Sequence, residues 1–141
     1  MASFGSRSRA RRDTCHPDLI RILDASIVDY DFTILEGHRS TETQQEYYAI
    51  GRTTQMDRGI ITNKDGIIKL SRHQSKPSTA ADCVPWFSDA PHIRWDDIAA
   101  FKAMAQVIMK AADRMGIPLS WGGGWKSPVD YPHFQLRSKP R

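Results

Sequence analysis

Ser71-Arg72-His73-Gln74-Ser75-Lys76-Pro77-Ser78-Thr79-Ala80-Ala81-Asp82 sets a histidine and an aspartate nine positions apart, with small residues just before the acid. Far downstream stands Asp130-Tyr131-Pro132-His133-Phe134. The two stretches together supply two imidazoles, one carboxylate able to bind a metal, and a second carboxylate close to the last histidine. A catalytic zinc needs three protein ligands and an open position for water, and His and Asp are suitable donors. A further carboxylate, off the metal, serves as proton acceptor for an activated water. These residue types point to a zinc hydrolase. Spacing alone leaves the commoner alternative open, a hydrogen-bonded structural histidine beside a helix-capping aspartate.

The segments around these stretches read as a frame. Thr79 to Phe87 reads as a buried strand carrying Asp82, and His133-Phe134-Gln135-Leu136 as the last strand. Leu119-Ser120-Trp121 is a short strand, followed by a flexible turn at Gly122-Gly123-Gly124-Trp125. Ahead of them, Ile98, Phe101, Ala105, Ile108, Ala112 and Met115 step by three and four, which predicts a helix from about Asp96 to Met115. Asp96 and Asp97 sit at its positive end, and Gly116 and Pro118 stop it. Nearer the N-terminus, His16-Pro17 opens a helix with Leu19, Ile22, Leu23 and Ile27 on one face. A strand over Asp31–Glu36 follows, and Gly37 ends it. Ser40 or Thr41 then caps a polar helix that runs to Gly51. Residues 52–72 read either as a small hairpin around Asn63-Lys64-Asp65-Gly66 or as an irregular loop. Interleaved helices and strands with short connections predict an α+β fold, a small antiparallel sheet packed against helices with the zinc site on the sheet.

The chain has 141 residues, enough for one domain with its own core. Its 20 Lys and Arg exceed its 16 Asp and Glu by four, and the first twelve residues hold four arginines and no acid. The remainder is therefore neutral. Residues 1–14 are expected to be a basic flexible arm, either a solubilising tail or a contact for an anionic surface. Residues 15–136 are expected to be the single catalytic domain, and residues 137–141 a frayed tail. The neutral body and the lack of an aromatic-basic stripe argue against a nucleic-acid-binding protein. No apolar run reaches the ~18 residues of a membrane span, and no signal peptide is expected. Cys15 and Cys83 form no framework; Cys83 reads as a small buried hydrophobe.

Ser71-Arg72-His73, Ser78-Thr79-Ala80-Ala81-Asp82, Trp121-Gly122-Gly123-Gly124-Trp125 and Asp130-Tyr131-Pro132-His133-Phe134 resemble phage endolysins of the peptidase M15, hedgehog-like type. These are L-alanyl-D-glutamate peptidases, related to D-alanyl-D-alanine carboxypeptidases and dipeptidases. His16-Pro17-Asp18-Leu19, Asp31-Phe32-Thr33-Ile34 and Glu36-Gly37-His38-Arg39-Ser40 fit as well. The resemblance implies zinc ligands His73, Asp82 and His133, a catalytic carboxylate at Asp130, and an arginine at Arg39 near the substrate carboxyl or oxyanion. Two departures stand out. Two extra residues separate His73 from Asp82, with Ser78 where glycine is usual, so the loop must bulge; and Gly124 replaces a common acid. The implied partner is the peptidoglycan peptide stem, with no stable membrane insertion and a monomeric chain. The implied location is the host cytoplasm before release to the wall by holin-type export. Cleavage at terminal D-alanines is the alternative within the family, and a non-catalytic wall-binding module the alternative outside it.

Overall fold

The computed structural model describes residues 2–126 and 128–137. Eight regular elements run α1 Ser6–Arg12, α2 Pro17–Ile27, β1 Phe32–Glu36, α3 Thr41–Ala49, β2 Ala80–Pro85, α4 Ile98–Met115, β3 Leu119–Trp121 and β4 His133–Leu136. The strands form one four-stranded antiparallel sheet in the order β1-β2-β4-β3. The expected α+β class is the observed one.

Alternation along the strands separates the sheet into two faces. Ile34, Ala81, Cys83 and Phe134 are fully buried in the core. That core is closed by α2 and α4, which pack on each other, with α4 lying over β2 and β3. Leu19, Ile22 and Leu23 from α2 and Phe101, Met104 and Ile108 from α4 fill it. α4 starts two residues later than expected, because Asp97 acts as its cap and accepts the Ala100 N–H at 3.0 Å. Gly116 ends it in the left-handed region, φ 68°. Ile108→Ala should cost about 2–5 kcal/mol of stability. Lys102→Ala, on the exposed face, should stay within about 0.5 kcal/mol. Thermal melts that fall equally for both would mean that the wrong face of α4 was assigned to the core.

The basic arm differs from expectation. Residues 6–12 are helical as α1, which packs on β1. Phe4 is buried and meets Phe32 edge to face, with centroids 5.3 Å apart. The buried Ser8 hydroxyl lies 2.7 Å from the Thr33 hydroxyl and accepts the Ile34 N–H at 3.0 Å. Arg11 donates to the Ile34 carbonyl. β1 is an edge strand whose backbone groups need partners, and these side chains supply them. Charge patterning does not reveal this packing, because single side chains, Phe4, Ser8 and Arg11, rather than an apolar stripe hold the segment. Of the expected tail, residues 138–141 lie outside the described residues.

The hairpin reading of residues 60–68 also gives way to a loop. The Asp65 carboxylate accepts the backbone N–H groups of Ile67, Ile68 and Lys69 at 2.9–3.0 Å. A side chain thus takes the donors that a strand ladder would use. Gly122-Gly123-Gly124 forms a short 3₁₀ turn rather than an open turn.

Candidate metal centre and catalytic cleft

Three residues stand side by side on the face of the sheet away from α2 and α4. In register, Glu36 pairs with Asp82 and Asp82 with His133. Directly opposed residues on neighbouring strands share a face. A bulge between Ile34 and Glu36 brings Glu36 into this row.

His73 arrives from outside the sheet, on a 3₁₀ turn over Arg72–Gln74. The Ser71 hydroxyl accepts the His73 N–H at 3.3 Å, and the Ser71 N–H donates to the Gln74 side chain at 2.8 Å. The loop that follows is tied down at Ser78. This fully buried serine bridges to Cys15, and its hydroxyl donates to the Gly37 and Ala80 carbonyls.

The three side chains converge. His73 Nε2 lies 3.2 Å and His133 Nδ1 3.3 Å from the same Asp82 oxygen, and the imidazole rings meet edge to face at 5.1 Å. Among the described residues, His73, Asp82 and His133 form a group of three donors whose ligand atoms all lie within 4.8 Å of one another. The outer nitrogen of each ring is already engaged. His73 Nδ1 donates to the Gly37 carbonyl at 2.7 Å, and His133 Nε2 donates to the Gln135 side-chain oxygen at 2.8 Å. In the neutral imidazoles these bonds leave the inward nitrogens as lone-pair donors, aimed with a carboxylate at one point. Outward hydrogen bonds of this kind are how metal-binding histidines are oriented. The donor set therefore fits a divalent ion of the zinc class, and three lone pairs facing one another call for a cation between them.

Electrostatics agree. Burial works to raise the Asp82 pKa, but His133 and His73 in their protonated forms, through hydrogen bonds and charge together, outweigh it and hold Asp82 well below the usual carboxylate range. Burial is the largest influence on His133 and pushes it down, but the bond and charge of Asp82, with Gln135 and Asp130, together outweigh it for a net rise. Each shift records the same demand for positive charge beside Asp82.

Asp130 belongs to the turn that enters β4. Its N–H donates to the Gly122 carbonyl at 2.9 Å, and its carbonyl accepts the His133 N–H at 3.2 Å. A Cβ at Gly122 would press on Asp130 and His133, so glycine is required for this approach. The Asp130 carboxylate comes to 4.0 Å from His133 Nδ1 and keeps 42% of its side chain exposed. It thus reaches toward the donors from the open side. Burial first, and then the Asp82 charge, raise its pKa above the ordinary value. Such a shift makes a carboxylate a better proton acceptor near neutral pH.

Arg39 joins the cluster. Its backbone N–H donates to the His73 carbonyl at 2.7 Å. Its guanidinium donates to Glu36, lies 3.6 Å from the second Asp82 oxygen, and stacks on Tyr47. Gln44, fully buried, accepts from Arg39 at 2.7 Å. Of the two tryptophans, Trp125 lines the cleft against His133, with centroids 5.0 Å apart. Trp121 instead packs on Phe134 and donates to the Tyr131 carbonyl. Gly124 is exposed, with open space where a side chain would stand. All five residues singled out in the sequence, Arg39, His73, Asp82, Asp130 and His133, line one cleft of about 980 Å³. Sequence reasoning missed Gln44 and Gln135 and the Gly37 carbonyl, whose contributions depend on long-range register.

Residues 1–138 match the family model of the phage L-alanyl-D-glutamate peptidase. The chain belongs to this family. By that membership it is a peptidase. The L-alanyl-D-glutamate peptidase of Escherichia phage T5 is 26% identical over 136 residues, which cover 95% of this chain and 88% of that protein. The crystal structure of the Serratia marcescens L-Ala D-Glu endopeptidase ChiX superposes with a TM-score of 0.71 at 28% identity, covering 96% of this chain and 91% of that one. Two vancomycin-resistance enzymes share the fold at lower identity. The D,D-dipeptidase VanXYg matches with a TM-score of 0.52 at 16% identity, over 89% of this chain and 51% of that one. The D,D-pentapeptidase VanY, solved in complex with Zn(II), matches with a TM-score of 0.50 at 18% identity, over 85% and 68%.

Proposed function

We propose that this peptidase hydrolyses the L-alanyl–D-glutamate bond of the peptidoglycan peptide stem, using zinc held by His73, Asp82 and His133. The observation that carries the metal reading is the pair of outward bonds, His73 to Gly37 and His133 to Gln135, which turn both free nitrogens onto Asp82. Family membership and the two L-Ala/D-Glu peptidase relatives support the choice of bond. Zinc bound there would supply Lewis acidity and would acidify water for attack. Asp130 takes the proton of the attacking water and returns it to the leaving amine. Arg39, held by Glu36 and Gln44, places its positive charge beside the donors, where oxyanion charge develops. The chain works as a monomer and reaches the wall after release from the host cytoplasm. No helix among the described residues is long and apolar enough to cross a membrane.

Two measurements on the full chain test the reading. Elemental analysis should find one zinc per chain, and a chelator should abolish cleavage until zinc is returned. Mass spectrometry of digested stem fragments should show new ends at L-alanine and D-glutamate. Fragments lacking only terminal D-alanine would move the assignment to the carboxypeptidase branch, and active protein free of metal would remove zinc from it.

A further inference from the structure

One wall of the cleft takes no direct part in the chemistry above. Residues 61–64 and 69–72 line it, and they carry Lys64, Lys69 and Arg72 into the same space as the donors. The loop is built into the site. Gln44 links Arg39 to the Lys64 carbonyl, to which it donates at 2.7 Å. Arg52 donates to the Thr62 carbonyl at 2.9 Å, and Gln74 to the Gly66 carbonyl at 3.0 Å. Asp65 fixes the turn into Lys69 through its three backbone bonds.

The charges across the cleft are uneven. Glu36, Asp82 and Asp130 also line it, and Arg39 pairs with the first two. Lys64 and Lys69 have no carboxylate within ion-pair distance among the described residues. Arg72 gives one N–H to the Leu136 carbonyl at 3.3 Å and is otherwise exposed. A wall of cations without carboxylate partners, carried on an anchored loop backbone in a peptidase cleft, selects for negative charge on the substrate.

The proposed bond supplies such a charge. D-Glutamate gives its nitrogen to the scissile amide and has two carboxyl groups. The stem can continue through only one, so the other is free, within one residue of the cut. We infer that Lys64, Lys69 and Arg72 form an anion subsite for this free carboxylate, and that the enzyme prefers stems carrying it over stems in which it is a carboxamide. The inference rests on the bond assignment above. Exposed Ile60, Ile67 and Ile68 lie in the same loop, a mixture of apolar and basic groups that lipid surfaces also take. The cations line the cleft itself, however, and a bilayer seated on them would cover its mouth.

The test uses the zinc-loaded full chain and two synthetic stem peptides that differ only in that group, carboxylate or carboxamide. The acid should be cleaved with kcat/KM roughly tenfold higher, mostly through KM, because a fixed charge binds ground and transition states alike. The preference should shrink as salt rises and the screening length falls from about 10 Å at 0.1 M to about 3 Å at 1 M. Lys64→Gln/Lys69→Gln, with its fold checked by thermal melting, should bring the ratio of the two substrates close to one. Equal wild-type cleavage of both peptides overturns the subsite and leaves the bond assignment standing. So does a double variant that keeps the full ratio but loses binding to phosphatidylglycerol vesicles, since the wall then serves lipid. Wild-type protein that cleaves neither peptide overturns the bond assignment, and the subsite with it.

Discussion

Asp130→Asn is expected to keep its zinc and its fold while losing turnover by about 10²–10⁴-fold, the span of a general acid–base group. The substitution preserves shape. The backbone bonds of Asp130 to Gly122 and His133 do not involve the carboxylate, so the turn survives. What disappears is the only function proposed for the side chain, accepting a proton. His73→Ala is expected to behave differently. It removes one of three donors together with the ring that bonds the Gly37 carbonyl, so zinc and activity are lost together. Zinc content, melting temperature and muropeptide cleavage measured on both variants separate the two roles. Loss of zinc from Asp130→Asn would make Asp130 a ligand. Full activity would pass the role of base to another carboxylate, and Glu36, in the same row as Asp82, is the first to examine.

The second large effect lies far from the chemistry. Removing residues 2–12 takes away Phe4, the Ser8 and Arg11 bonds to β1, and the whole of α1. Phe4→Ala alone should cost about 3–5 kcal/mol, the range for emptying a buried phenylalanine site. For a chain of this size that lowers the melting temperature by more than about 10 °C. The truncated protein should lose at least as much and aggregate more readily, since the edge of the sheet is uncovered. Calorimetry and light scattering of the two proteins check this. An unchanged melt for the truncated chain would return the segment to the status of a solubilising tail.

Different parts of the molecule were legible to different degrees. α4 could be read because its apolar residues repeat at helical spacing and its ends carry charged and glycine signals. β2 and β4 could be read as short runs with small or alternating residues. The site residues became legible through the ordered motifs of a family, and the structure places them in one cleft. The outward partners of the two histidines could not be read, since a glycine carbonyl and a glutamine gain meaning only once β1, β2 and β4 are in register. The same holds for α1. Its composition signals solvent, and its stability comes from Phe4 and Ser8 meeting a strand about 25 residues later. The Asp65 turn escaped for the opposite reason, because a local side-chain bond competed with the ladder that the flanking isoleucines suggested.

The strand order carries a consequence for biosynthesis. β4 follows every other strand in the chain yet occupies an inner slot, between β2 and β3. While the ribosome is still making that segment, β2 and β3 have no ladder between them and Asp82 has no His133 opposite. Chains fold from the N-terminal side as they emerge, but here the centre closes only when the last strand is threaded into place. On the proposed ligand assignment, a nascent or C-terminally clipped chain without β4 lacks His133 and cannot assemble the three-donor group until its sheet is complete.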